Sequence, residues 1–172
     1  MAQYHATVES RSPAAETFGY LAIFSNAADW DPGVLAGERL DAGPPRAGSR
    51  FRLTVPFLGV RMSLTYEVFR LVPDREVLLH AANGLLRSAD RIVVTGTANG
   101  STVSYDAEVR LRGPLRVLDP LLQPGFRVVA ERAAAGLADV LSRRPPGRGA
   151  EAPAAARATS GGEGKPAPEG RP

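Results

Sequence analysis

Apolar residues in this chain alternate, then recur every three or four, then alternate again through five successive segments before a last helical stripe. From Tyr4 to Glu9 the two-residue period sets Tyr4, Ala6 and Val8 against Gln3, His5, Thr7 and Glu9, which predicts a half-buried strand with His5 pointing outward. Ser12-Pro13-Ala14-Ala15-Glu16 reads as a helix start, with Ser12 as N-cap, Pro13 at the first helical position and Glu16 near the capping-box place. Phe18, Leu21 and Ile23/Phe24 form its buried side. The helix breaks at Ser25-Asn26, and Ala27 to Pro32 reads as a second short helix or turn ending at the proline. Val34 to Asp41 fits a second strand weakened by Gly37, and residues 41–48 form a loop.

From Ser49 onward strands are expected at about 49–56, 60–71, 75–82, 86–98 and 101–112, joined by short turns at Phe57-Leu58, Pro73-Asp74, Asn83-Gly84 and Asn99-Gly100. With every turn two residues long, Leu53 opposes Met62, Phe51 opposes Leu64, Tyr66 opposes Ala81, Val68 opposes Leu79, and Val94 opposes Tyr105. All of these fall on one face, while Arg52, Glu67, His80, Glu76, Arg91 and Glu108 fall on the other. His80 therefore reads as a member of a surface ion-pair cluster. The same register puts Arg70 and Asp90 on the inner face, in the row Arg70–Val77–Asp90–Val109, about 10 Å apart at the backbone. A carboxylate turned toward a core is costly unless paired, so the two either pair structurally or serve a cavity.

Leu115 to Arg143 closes the ordered part. Leu122, Phe126, Val129, Ala133, Leu137 and Val140/Leu141 make an apolar stripe, and Pro120 and Pro124 predict a short helical lead-in followed by a main helix starting near Pro124. Such a helix needs a sheet to lie on. One strand, two short helices, a run of antiparallel strands and a long last helix define an α+β domain over residues 1–143.

Composition narrows the chemistry. A chain of 172 residues, 44% hydrophobic, builds one core. It has no cysteine, and its two histidines, His5 and His80, are far apart, so thiol chemistry, metal sites and histidine triads are not expected, and no cofactor is implied. No apolar run is long enough to span a membrane and the N-terminus lacks the shape of a signal peptide, so a cytoplasmic protein is expected, with peripheral membrane contact left open. Residues 1–142 carry fifteen arginines against fifteen aspartates and glutamates, so the +3 excess lies in the tail. A neutral domain argues against nucleic acid as a partner. The tail from residue 144 is rich in Pro, Ala and Gly without apolar periodicity, and is expected to be disordered.

Several segments carry a family resemblance. Ser12 to Phe18, Phe24-Ser25-Asn26, Trp30-Asp31-Pro32 and Gly48 to Arg52 resemble the opening of the SRPBCC superfamily, also called START-like or helix-grip. Asn99 to Tyr105 and Gly113 to Leu141 are similar to that superfamily's last strand and C-terminal helix, in the flavour of its polyketide cyclase/dehydrase-like group. The resemblance implies a helix-grip fold, a curved antiparallel sheet of about seven strands around the last helix. It also implies an internal pocket for a lipid, a polyketide or another hydrophobic small molecule. Cyclase/dehydrase activity is one role open to such a pocket; a carrier or an interaction module without chemistry is another.

Candidate residues follow from face and chemistry. Asp90 as general base and Arg70 as a carbonyl polariser would suit an aldol cyclisation or dehydration, and the same pair would serve equally as buried structure. Tyr66 and Tyr105 face inward with hydroxyls that need partners, in a ligand or a neighbour. Trp30 falls where the resemblance places a residue near the pocket mouth, and is otherwise a packing anchor. Phe51, Leu53, Met62, Leu64, Phe126 and Val129 are expected as apolar lining or core.

Overall fold

A computed structural model describes residues 1–57 and 59–144, apart from the side chains of residues 121–123. The turn residue Leu58, the stripe residue Leu122 and the tail beyond Arg144 lie outside the described residues.

The alternating segments become strands. These are β1 (Ala2–Ser10), β2 (Ala36–Arg39), β3 (Arg50–Phe57), β4 (Val60–Val72), β5 (Glu76–Ala82), β6 (Leu86–Thr97) and β7 (Gly100–Leu111). They form one antiparallel sheet in the order β1-β7-β6-β5-β4-β3-β2, with β1 and β2 at the open edges. The helices are α1 (Ala14–Ala22), α2 (Ala27–Trp30) and α3 (Asp119–Arg143), with 3-10 turns at Phe24–Asn26 and Gly113–Leu118. α1 lies over β6 and β7, and α3 runs closest to β1. The core between them includes Phe51, Val68, Val77, Leu79, Ile92 and Val103 from the sheet and Leu137 and Leu141 from α3.

Local chemistry corrects several expectations. Pro13, not Ser12, takes the N-cap position of α1. The Ser12 carbonyl instead accepts hydrogen bonds from the hydroxyls of Ser101 (2.9 Å) and Thr17 (3.3 Å), so it ties the helix entry to β7. Gly37 does not weaken β2; a Cβ there would lie 2.1 Å from the Ser25 carbonyl oxygen, and the missing side chain lets the 3-10 turn press on the strand. The last helix starts at Asp119, five residues before the start expected near Pro124, and passes through that proline. Pro124 has no N–H to donate one turn back, a loss that an exposed position tolerates. The buried face of α3 is Ala130, Ala133, Leu137 and Leu141. Gly136 packs against α2, where a Cβ would meet the Trp30 carbonyl oxygen at 2.0 Å. Arg144, assigned to the tail by composition, lays its guanidinium over the Tyr20 ring at 4.0 Å.

The turns also fall away from the expected residue pairs. Phe57 pairs with Val60, Ala82 with Arg87, and Thr97 with Gly100. Three hairpins are therefore shifted by two residues from the expected register, so that Leu53 faces Leu64 and Ile92 faces Tyr105. A shift of two keeps each side chain on its face, which is why the inner and outer sets survive. At β4 and β5 the register itself changes, with Val68 opposite Leu79 and Arg70 opposite Leu78. Phe69 is the extra residue of a β-bulge, and both Phe69 and Arg70 turn outward.

Candidate functional site

β6 carries polar side chains on its buried face. Ser88 and Asp90 share the alternation of Leu86, Ile92 and Val94, and Asp90 is only 4% exposed. Its neighbours on the sheet are small: Ala107 stands opposite on β7, and Ala81 separates Tyr66 from Ser88. That leaves room for two tyrosine rings to lean toward β6. Tyr105 donates its hydroxyl proton to Asp90 Oδ1 at 2.5 Å, Ser88 donates to Asp90 Oδ2 at 3.1 Å, and Tyr66 donates to Ser88 Oγ at 3.1 Å. Phe24 closes on the Tyr66 ring edge-on at 4.9 Å, and Trp30 on the Tyr105 ring at 5.7 Å.

Among the described residues no cation bonds this carboxylate. Burial pushes the Asp90 pKa from 3.8 up to about 6; the hydroxyls of Tyr105, Ser88 and Tyr66 pull the other way, and the charge of Asp31 adds to the rise. Both tyrosines are held well above their ordinary value, first by burial and then by the charge on Asp90. Asp31 follows Trp30 at the end of α2 and accepts the Gly33 N–H at 2.7 Å. Its own pKa is raised by burial, against that hydrogen bond.

Every donor proton in the Tyr66–Ser88–Asp90–Tyr105 cluster is already committed within it, and no buried side-chain oxygen or nitrogen among the described residues lacks a partner. What remains free is acceptor capacity, in the lone pairs of the carboxylate and of the phenolic oxygens. The cluster can therefore take a hydroxyl, enol or other acidic proton from a neighbour in the interior. With its pKa near 6, Asp90 is mostly ionised at neutral pH and able to accept a proton outright.

Other expected site residues divide by position. Trp30, Phe51, Leu53 and Leu64 are buried in the core. Met62, near the start of β4, is half-buried, and its sulfur receives the side-chain N–H of Asn83 from the β5–β6 turn at 3.3 Å. Phe126 is half-buried against the core, whereas Val129, expected as lining, is 45% exposed because the buried face of α3 passes through Ala130. Arg70 is a correction. The bulge at Phe69 puts it on the outer face, 3.9 Å from Glu76, so it does not meet Asp90. His80 is exposed as expected and stacks on Phe69 at 4.9 Å. A groove of about 700 Å³ on that outer face is lined by Glu67, Phe69, His80, Arg87 and Glu108 and lies across the sheet from the cluster.

Two site residues escaped the sequence reading. Ser88 was available from the two-residue period that placed Asp90 inward. Asp31 was hidden by its turn chemistry, since Asp-Pro-Gly reads as a loop signal with a solvated carboxylate.

An open sheet gripping a C-terminal helix, with two short helices after the first strand, defines a helix-grip α+β protein. The chain belongs to the family described as Polyketide cyclase / dehydrase and lipid transport, which it matches over residues 1–142. It is similar to a START superfamily protein from Mycobacterium smegmatis at 15% identity with a TM-score of 0.63, over 82% of this chain and 97% of that one. It is similar to the Zhui aromatase/cyclase from Streptomyces sp. R1128 at 16% identity with a TM-score of 0.63, over 81% of this chain and 90% of that one. At such identities the likeness is one of fold. Among curated proteins none matches the chain.

Proposed function

We propose that this chain binds a hydrophobic small molecule, of lipid or polyketide type, between the sheet and α3, with the ligand's hydroxyl or enol directed at Asp90 and the oxygen of Tyr66 or Tyr105. The observation that carries the reading is Asp90 itself: a carboxylate 4% exposed, bonded to hydroxyls and, among the described residues, to no cation. A buried charge without a counter-ion weakens a fold, and perturbed carboxylates of this kind concentrate at functional sites. Membership in a cyclase/dehydrase and lipid-transport family supports the same reading. Trp30, Phe51, Leu53, Met62, Leu64 and Phe126 are the apolar surroundings it would use.

Two roles follow from one site. In a carrier the cluster only selects for a ligand proton donor. In a cyclase or dehydrase Asp90 is the base that takes a proton from a carbon beside a ligand carbonyl. The completed internal hydrogen bonding of the cluster favours the carrier. Thermal unfolding with fatty acids and with phenolic and non-phenolic polycyclic compounds tests the proposal. The melting temperature is expected to rise with the hydroxylated compounds, and Asp90→Asn is expected to lose their advantage over the others. No shift with any compound, together with no small molecule bound to the purified chain in native mass spectrometry, would remove the reading. Turnover of a β-ketone substrate by the unaltered chain and its loss in Asp90→Asn would make the chain an enzyme.

A further inference from the structure

Exposed large apolar side chains crowd one end of the sheet. The β3–β4 and β5–β6 turns, the start of β1 and the end of β7 all lie at that end, because antiparallel pairing brings Phe57/Val60, Ala82/Arg87 and Ala2/Val109 there. The 3-10 turn after β7 and the first turn of α3 lie there too, anchored by Asp119, which accepts the Leu111 N–H at 2.9 Å and pairs with the N-terminal amine at 3.1 Å. Val60 (64% exposed), Leu85, Leu115, Val117 (78%) and Leu118 project from these segments. At the opposite end the turns around residues 73–75 and 98–100 expose no large apolar side chain. Charge follows the same division. Residues 59–62, 83–87 and 112–118 contain Arg61, Arg87, Arg112 and Arg116 and no acidic residue. Arg61, Arg87 and Arg116 make no salt bridge among the described residues, although charge is paired in many places on the outer face.

We propose that this end of the protein docks on the surface of an anionic lipid bilayer. Valine and leucine side chains on short turns can enter the boundary between headgroups and acyl chains, and the arginines beside them meet anionic headgroups. A purely apolar rim would suit any greasy partner; an apolar rim set among arginines that make no salt bridge, with its one nearby acid, Asp119, buried and already paired to the N-terminal amine, is complementary to an anionic bilayer. The inference goes beyond the interior ligand site and stands whether or not that site is used.

Flotation of the full chain with phosphatidylcholine vesicles, with and without phosphatidylglycerol, tests it. Binding is expected with phosphatidylglycerol, weak binding without it, and release as salt rises. Val117→Asp with Leu118→Asp is expected to weaken binding about tenfold or more, and Arg61→Glu with Arg116→Glu to abolish the preference for phosphatidylglycerol. Phe69→Asp, an apolar residue equally exposed but on the outer face, is expected to bind like the unaltered chain. All these positions are exposed, and an unchanged melting temperature certifies each variant as folded. The stretch 143–172, with five arginines and a lysine against three glutamates, is the same in every variant. Binding that survives both double substitutions therefore belongs to the tail and overturns the proposal. Absence of binding overturns it as well, as does a concentration-dependent dimer that Val117→Asp with Leu118→Asp dissociates, which would give this end to a second copy.

Discussion

Asp90 and Glu76 are carboxylates on neighbouring strands of one sheet, both hydrogen-bonded, and their proton affinities move in opposite directions. Asp90 on the inner face has three hydroxyls near it and rises to about 6 because burial outweighs them. Glu76 on the outer face bonds Arg91 at 2.8 Å, lies 3.9 Å from Arg70, and falls below its ordinary value, first through the Arg91 bond. The number of partners does not decide the outcome. A guanidinium carries charge to the carboxylate, while a hydroxyl brings only a dipole and, in the interior, does not replace the lost water.

The largest expected effect is on the pH dependence of stability. Asp90 binds its proton more tightly in the folded state, at about 6, than at its ordinary 3.8. Its contribution is thus fully present below pH 3.8 and lost as pH rises through about 6, a span of about 3 kcal/mol. Urea unfolding from pH 4 to 7.5 should show this descent in the unaltered chain and not in Asp90→Asn; parallel curves would mean that Asp90 is not the buried, cation-free carboxylate described. Next in size is Tyr105→Phe. It removes a hydrogen bond to a charged acceptor, with an expected cost of about 2 kcal/mol at neutral pH, and carboxyl NMR should find the Asp90 pKa higher still. The smallest effect belongs to the outer face. Glu76→Gln should cost under about 1 kcal/mol, shrinking with added salt. Its sign is the reverse: the Glu76 contribution is present above the ordinary carboxylate pKa and lost as pH falls. A Glu76→Gln effect larger than that of Tyr105→Phe would break the comparison.

The faces of the sheet were legible in the sequence because alternation survives errors of two residues. Leu53, Leu64, Tyr66, Asp90 and Tyr105 point inward although three hairpins pair two residues away from the expected register. Arg70 was not legible. A bulge adds one residue, one residue flips a face, and nothing in Val68-Phe69-Arg70 announces it; Phe69 in particular has the side chain of a core residue and stands 67% exposed. Glu76 and Arg91, both expected on the outer face, are partners for a reason that backbone register does not capture. They sit diagonally, and an arginine is long enough to close the difference. The Asn83-Gly84 turn lies one residue later than expected, because the Asn83 N–H donates to the Leu86 carbonyl at 3.0 Å and Asn83 Oδ1 accepts the N–H groups of both Leu85 and Leu86, which centres the bend on Gly84-Leu85.

Gly136 joins the two helices at a seam of bare backbone, α3 resting directly on the last carbonyl of α2. With no side chain between them, the pair has little freedom to slide, and a methyl group at Gly136 would pry them apart. Asp31 is the next residue along that seam, and its negative field is one of the influences that keep the Asp90 proton in place. The bare contact at Gly136 thus fixes α2 and, one residue further, a carboxylate whose charge adds a small share to the proton affinity of Asp90.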